Sequence, residues 1–233
     1  EGASDAKLRR TRLLRLARAG PVLHDSPMSP RWSQVLRPSL IVLALALLAP
    51  TAGLADPPAG DRVAHGSALY DKYCALCHGP TAQGYAADNA PSLVTPQWLS
   101  GADDAFIVNS IALGRPDTAM GAFAKLAGGP LSDQDIDDIV AFLRSHGPAY
   151  AAPTKPPTGS ARAGAAIYST ECVKCHGDRS KRGEAPYLAN QTFLGLASDT
   201  FLYDSIARGR DGTKMKAYSE QLEPQQIADV VAY

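Results

Sequence analysis

The 233-residue chain contains an approximate copy of itself, so its fold must be one that can be built twice. Gly66, Tyr70, Cys74, Cys77 and His78 recur as Gly164, Tyr168, Cys172, Cys175 and His176, at an offset of 98. Ala90-Pro91-Ser92-Leu93 recurs as Ala185-Pro186-Tyr187-Leu188 at an offset of 95. Phe106, Ser110-Ile111, Gly114-Arg115 and Met120 recur as Phe201, Ser205-Ile206, Gly209-Arg210 and Met215, again at 95. Leu131, Gln134, Ile136 and Val140-Ala141-Phe142 return as Leu222, Gln225, Ile227 and Val231-Ala232-Tyr233 at 91. Order and residue type persist while the offset shrinks, as small deletions in the second copy would cause. One of these lies near Ala127-Gly128-Gly129.

Each copy reads as three helical segments with loops, an all-α unit. The first runs from about Asp61, as its cap, to Cys77, and its partner starts after Ser160. The second spans about Asp103–Leu113 and Asp199–Arg208. The third spans about Ser132–Ser145, with Ile136, Ile139, Val140 and Leu143 on one stripe. No stretch alternates for long enough to suggest a sheet. The expected organisation is domain 1 at 56–146, a Pro-rich semi-rigid linker at 147–159 and domain 2 at 160–233. The second copy stops mid-helix at Tyr233, where the first continues Leu143-Arg144-Ser145, so domain 2 is expected to be C-terminally truncated.

Residues upstream of the repeat read differently. An apolar run, Leu40–Leu48, follows Arg31 and Arg37 and precedes the small-residue site Gly53-Leu54-Ala55. This is the layout of a secretory signal peptide, expected at 28–55 and beginning at Met28. An uncleaved membrane anchor is the alternative. Residues 1–27, rich in Arg and Leu, are expected to be an extension upstream of the native start. The chain has 23 basic and 23 acidic side chains; the zero balance argues against nucleic acid as a partner.

Cys74-Ala75-Leu76-Cys77-His78 and Cys172-Val173-Lys174-Cys175-His176 are both C-x-x-C-H, the haem-attachment motif. Residues i and i+3 share a helix face, so both sulfurs reach one side of a flat macrocycle and add to its vinyl groups. The following His offers iron an imidazole nitrogen. The two motifs use all four cysteines of the chain. A four-thiolate zinc site, a redox dithiol and a disulfide are the competing readings. The 98-residue separation and the lack of a β-α-β pattern argue against the first two. Two covalent haem c groups are therefore expected. Met120 and Met215 are the only methionines after Met28, and they occupy equivalent places. They are expected to be the second axial ligands, opposite His78 and His176. Lys214 and Lys216 flank Met215, so a lysine amine could compete for that iron.

With these residues in hand, the chain from 56 onward resembles two tandem class I cytochromes c. Both copies carry that family's Gly-x3-aromatic-x3-Cys-x2-Cys-His, then Pro-x-Leu, a late Met, and a helix ending apolar-x-Ala-aromatic. The resemblance implies that the first and last helices of each copy cross at Gly66 and at Gly164. It implies that the carbonyls of Pro91 and Pro186 orient the axial imidazoles. It also points to Arg115 and Arg210 as neighbours of haem propionates, with a solvated surface arginine as the alternative. The family pattern places Pro after the ligand Met, where this chain has Gly121 and Lys216.

Neither copy shows a catalytic base or an extra metal motif. The expected function is electron transfer between redox partner proteins in the periplasm, with no integral span in the mature chain. Two alternatives carry different expectations. A dihaem peroxidase needs a displaceable ligand, and some sulfur-compound dehydrogenases use a spare Cys. A haem subunit of a larger oxidoreductase would co-purify with its complex.

Overall fold

Each C-x-x-C-H motif begins where a helix gives way. The computed structural model describes residues 58–233, and the expected extension and signal peptide lie outside them. Helix α1 (Ala59–Tyr73) stops at Cys74, and a four-residue turn of helix, α2 (Ala75–His78), carries the rest of the motif. The second copy does the same with α6 (Ala161–Glu171) and α7 (Val173–His176), broken at Cys172. The one continuous helix expected to His78's doorstep is thus two. Cys74 stays in the right-handed helical region but with φ opened to −118°, and its carbonyl accepts from the amides of Cys77 and His78 at 3.1 and 3.0 Å. The start of α1 also differs from expectation. Pro58 is the boundary residue, and Asp61 lies inside the first turn, near the helix's positive end.

The closing helices are α5 (Asp133–Arg144) and α10 (Pro224–Ala232), each begun by a capping box, Ser132 with Asp135 and Glu223 with Gln226. On α5, Ile136, Ile139, Val140 and Leu143 form the buried stripe. Helix α1 packs on α5, and α6 on α10. At the crossings the backbones leave no room for a side chain. A Cβ on Gly66 would sit 1.9 Å from the Asp138 carbonyl oxygen, and one on Gly164 would sit 1.8 Å from that of Asp229.

Between these helices each copy inserts two more. Helices α3 (Pro96–Gly101) and α8 (Gln191–Leu196) were not anticipated; six residues are too few to show a helical period. Helices α4 (Asp104–Leu113) and α9 (Asp199–Arg208) follow. All four are capped by a side chain that accepts from the amide three residues on, and that residue is always aromatic. Thr95 holds Trp98, Asp103 holds Phe106, Asn190 holds Phe193 and Ser198 holds Phe201. Among the described residues no strand forms, only the isolated bridges Ala124–Leu131 and Gly177–Arg182. The 3-10 turn Lys125–Ala127 belongs to the first copy alone, at the place where the second has lost residues.

The two copies pack reciprocally. Helix α3 of the first lies on α9 of the second, and α4 of the first lies on α8 of the second. Equivalent helices therefore meet non-equivalent ones in both directions, the pattern of an approximate two-fold axis. Residues 147–160 cross from one copy to the other without a helix or strand. They are held at both ends. Ala151 donates its amide to the Ser100 carbonyl at 2.8 Å, and Thr158 accepts from Gln225 at 2.9 Å.

Candidate haem sites

The axial histidines are held by their backbone neighbours in the same way in both copies. His78 Nδ1 lies 2.8 Å from the Pro91 carbonyl oxygen, and His176 Nδ1 lies 2.9 Å from that of Pro186. A carbonyl only accepts, so each Nδ1 carries the hydrogen and each Nε2 keeps its lone pair for a metal. Burial pushes both imidazoles below their usual range, against the raising effect of the proline carbonyl bond. At neutral pH both rings are thus unprotonated donors.

The aromatic at the end of each first helix fixes the turn after the motif. Tyr70 donates its hydroxyl to the Gly79 carbonyl at 2.7 Å, and Tyr168 donates to Gly177 at 2.8 Å. Both glycines have positive φ, 82° and 73°. A Cβ on Gly177 would meet the Lys181 carbonyl at 2.1 Å.

The cysteines are free thiols. Burial, then the neighbouring thiol Cys77, pushes Cys74 up to about 11. Burial, with Glu171 and Cys175 adding, pushes Cys172 up to about 11. Among the described residues no group of three His, Cys, Asp or Glu comes together as a metal cluster. That leaves the four-thiolate zinc reading without its ligand set.

His78, Pro91, Met120, His176, Pro186 and Met215 line one continuous cavity, so the two sites open onto each other. Its walls are mainly apolar and aromatic, with Tyr73, Leu93, Trp98 and Ile107 from the first copy and Leu188 and Phe193 from the second. The residues present fit a haem in each copy. There is a pair of thiols at i, i+3, an imidazole with Nε2 free, a thioether on the same cavity and apolar walls for the macrocycle.

Arg115 and Arg210 also line this cavity and are partly buried, rather than lying as solvated surface side chains. Arg115 donates to Ser110 Oγ at 2.7 Å and to the Gly114 carbonyl. Arg210 repeats both bonds with Ser205 and Gly209. Each guanidinium also stacks on aromatic rings, Arg115 on Phe106 and on Phe193 of the other copy, Arg210 on Phe201. Among the described residues neither is within ion-pairing distance of a carboxylate. Burial pushes Arg210 down to about 10, so it remains a cation at neutral pH.

Of the other sequence candidates, Lys216 is turned away to the Gln221 carboxamide oxygen at 2.5 Å and lies over the Tyr218 ring. His65 bonds Asp138 at 2.8 Å, and His146 bonds the Phe142 carbonyl; both lie on α1 or the end of α5, away from the cavity lining. The sequence reading missed Asp88 and Asn89. Their counterparts in the second copy, Gly183 and Glu184, are of other types, and the repeat gave no reason to select them.

Residues 63–147 match the family described as Cytochrome c, and residues 159–233 match Cytochrome C oxidase, cbb3-type, subunit III. The chain is 31% identical over 198 residues to the Cbb3-type cytochrome c oxidase subunit FixP of Bradyrhizobium sp. (strain ORS 278), covering 78% of this chain and 65% of the relative. It is 29% identical to the subunit FixP of Bradyrhizobium diazoefficiens, over 73% of this chain and 59% of the relative. It is 31% identical to the Cbb3-type cytochrome c oxidase subunit CcoP of Rhodobacter capsulatus, over 63% of this chain and 50% of the relative. The chain thus spans less than two thirds of the length of these curated relatives. Residues 63–147 and 159–233 are two tandem cytochrome c domains, which imply covalent haem c, and the chain is homologous to the FixP and CcoP subunits.

Proposed function

We propose that this chain passes single electrons from one haem to the other as the haem-bearing subunit of a cbb3-type cytochrome c oxidase. The observation that carries the reading is the single cavity onto which both sites open, joined to the likeness to FixP and CcoP subunits. Bound haem supplies a one-electron Fe(III)/Fe(II) couple. The chain's own residues do the rest. Cys74 and Cys77, and Cys172 and Cys175, hold the macrocycles as thioethers. His78 with Met120, and His176 with Met215, would hold the two irons, and a thioether donor would raise the potential. The carbonyls of Pro91 and Pro186 fix the imidazoles, and Arg115 and Arg210 supply positive charge to the propionates. Domain limits of 56–146 and 160–233, joined by 147–159, follow from the repeat.

In this reading the chain is not itself the catalyst, and the oxidase active site lies on a partner subunit. A peroxidase or sulfur-compound dehydrogenase is disfavoured because a Met is at hand for each iron and no Cys is spare. The haem domains face the periplasm, exported by the 28–55 segment or held by it as an anchor. Among the described residues no helix is long and apolar enough to cross a membrane. The test is purification of the native protein from its own membranes, with a redox titration of haem content. Co-purification with an oxygen-reducing haem–copper complex, and loss of oxygen reduction when the chain is deleted, is expected. Recovery as a free protein with oxygen reduction intact would refute subunit membership and leave a free-standing carrier.

A further inference from the structure

The loops that bring Met120 and Met215 to the cavity are wired alike. Arg115 donates its amide to the Met120 carbonyl at 2.7 Å, and Arg210 to that of Met215 at 2.8 Å. Thr118 Oγ1 donates to the Arg115 carbonyl at 2.7 Å and accepts from the Met120 amide at 3.1 Å. Thr213 makes the same pair of bonds at 2.8 and 3.1 Å. The likeness is not complete. The amide of Ala119, the residue before Met120, donates to Asp88 Oδ2 at 3.0 Å.

Counting back from Ala90 and Ala185, the residue equivalent to Asp88 is Gly183. No carboxylate could stand there, because a Cβ on Gly183 would lie 2.0 Å from the Cys175 carbonyl oxygen. Asp88 and Asn89 adopt positive φ, 47° and 53°, a conformation that Asp and Asn tolerate better than most. The loop that contains them also reaches the second domain. Arg182 Nη2 lies 3.5 Å from the Asp88 carboxylate, and Asn89 Nδ2 donates to the Gly183 carbonyl at 3.2 Å.

We infer that Asp88 is a positioning residue that clamps the Met120 loop through the Ala119 amide, and that Arg182 of the second domain steadies the clamp. Only the first domain has this device, so the two sites differ in how firmly the sixth ligand is held. The difference depends on the domains being docked. The inference rests on Met120 being an axial ligand.

The test uses the full haem-loaded chain with Met215→Ala, in which any remaining sulfur-to-iron absorption belongs to the first domain. Ferric protein is mixed with potassium cyanide, and loss of that absorption gives the rate at which Met120 is displaced. Asp88→Ala should speed displacement about five- to tenfold, the effect of one lost hydrogen bond. Asp88→Asn keeps an acceptor for the Ala119 amide and should stay within about threefold of the parent, whereas Arg182→Ala, which loses only the exposed ion pair, should speed displacement measurably, by about two- to threefold. In the Asp88→Ala background, Arg182→Ala should add nothing. A parent-like rate in Asp88→Ala overturns the inference, as does an Asp88→Asn rate equal to that of Asp88→Ala. An Arg182→Ala rate equal to the parent's overturns the interdomain part. A sulfur band that survives Met120→Ala in this background overturns the ligand assignment itself, and is told apart because no Asp88 variant is needed to see it.

Discussion

Phe106 and Phe201 stack on each other with ring centroids 4.7 Å apart, although they are the same residue of the same helix in two copies of one domain. Such self-contact occurs only near a two-fold axis. Both rings are buried, and Phe193 meets Phe106 edge-on at 6.3 Å. Phe201→Ala should therefore loosen the two domains from each other. A loss of about 2–4 kcal/mol is expected, since an aromatic core truncation costs ~3–5 kcal/mol and this ring is shared across an interface. Denaturant unfolding would measure it, and faster proteolysis within residues 147–159 should accompany it. An unchanged midpoint would show that the domain contact does not rest on this pair.

Single methionine substitutions should divide the sulfur-to-iron absorption between the sites. Met120→Ala and Met215→Ala should each remove about half of it and lower the potential of one haem, because the thioether favours ferrous iron. The double variant should remove all of it. Near-infrared magnetic circular dichroism reads the signal, and residual intensity in the double variant would identify another sulfur donor.

Arg115 and Arg210 place positive charge on the cavity, and neither makes a direct ion pair among the described residues, although the Asp204 carboxylate acts on Arg210 from further away. A nearby cation favours the reduced, less positive iron. Arg210→Gln should lower one midpoint potential by roughly 30–60 mV, where 59 mV is a tenfold change for one electron. Spectroelectrochemical titration of the two haems would measure the shift. No change, or a rise, would remove the arginine from the haem's surroundings.

Acid should weaken the α1–α5 crossing first. Asp138 is buried, which by itself would raise its pKa, but side-chain bonds from Arg62, His65 and Gln134 carry it below the usual carboxylate range. A carboxyl depressed in the fold adds stability that is complete above its unfolded value, about 3.9, and is lost as pH falls through the folded value. Thermal midpoints should therefore fall below about pH 4, and Asp138→Asn should be less stable at neutral pH with a flatter acid limb. An acid limb unchanged in Asp138→Asn would assign the loss to other carboxylates.

Electron transfer with a cationic donor should slow as salt rises. Residues 56–150 hold 5 basic and 11 acidic side chains, while residues 151–233 hold 10 and 9. The first domain is the negative end of the pair, and ~0.15 M salt screens its field beyond about 8 Å. Stopped-flow rates across ionic strength test this, and a flat profile would show that the charges only solubilise the surface.

Chemistry was legible in the sequence where residue identity alone dictates it. The C-x-x-C-H pairs and the glycines at the helix crossings are local facts, and repetition doubled their weight. The repeat also contained Phe106 and Phe201, but an offset of 95 says that two residues are equivalent, not that they touch. The break at Cys74 was hidden because residues on either side of it are good helix formers. Helices α3 and α8 were too short for a period to emerge. Asp88 was invisible for the opposite reason to the cysteines, since the other copy has glycine in its place.

The reciprocal packing of α3 on α9 and α4 on α8 means that one surface, used twice, makes the main helix-to-helix contact. Two such domains on separate chains would have to find each other by diffusion, at whatever protein concentration that requires. Joining two such domains through 147–159 replaces that requirement with an effective concentration on the order of millimolar, set by the linker and unaffected by dilution. Fusion also frees the halves to diverge. Once each is guaranteed its partner, one can gain Asp88 and the other a crowded glycine in its place, which an assembly of identical subunits could not do.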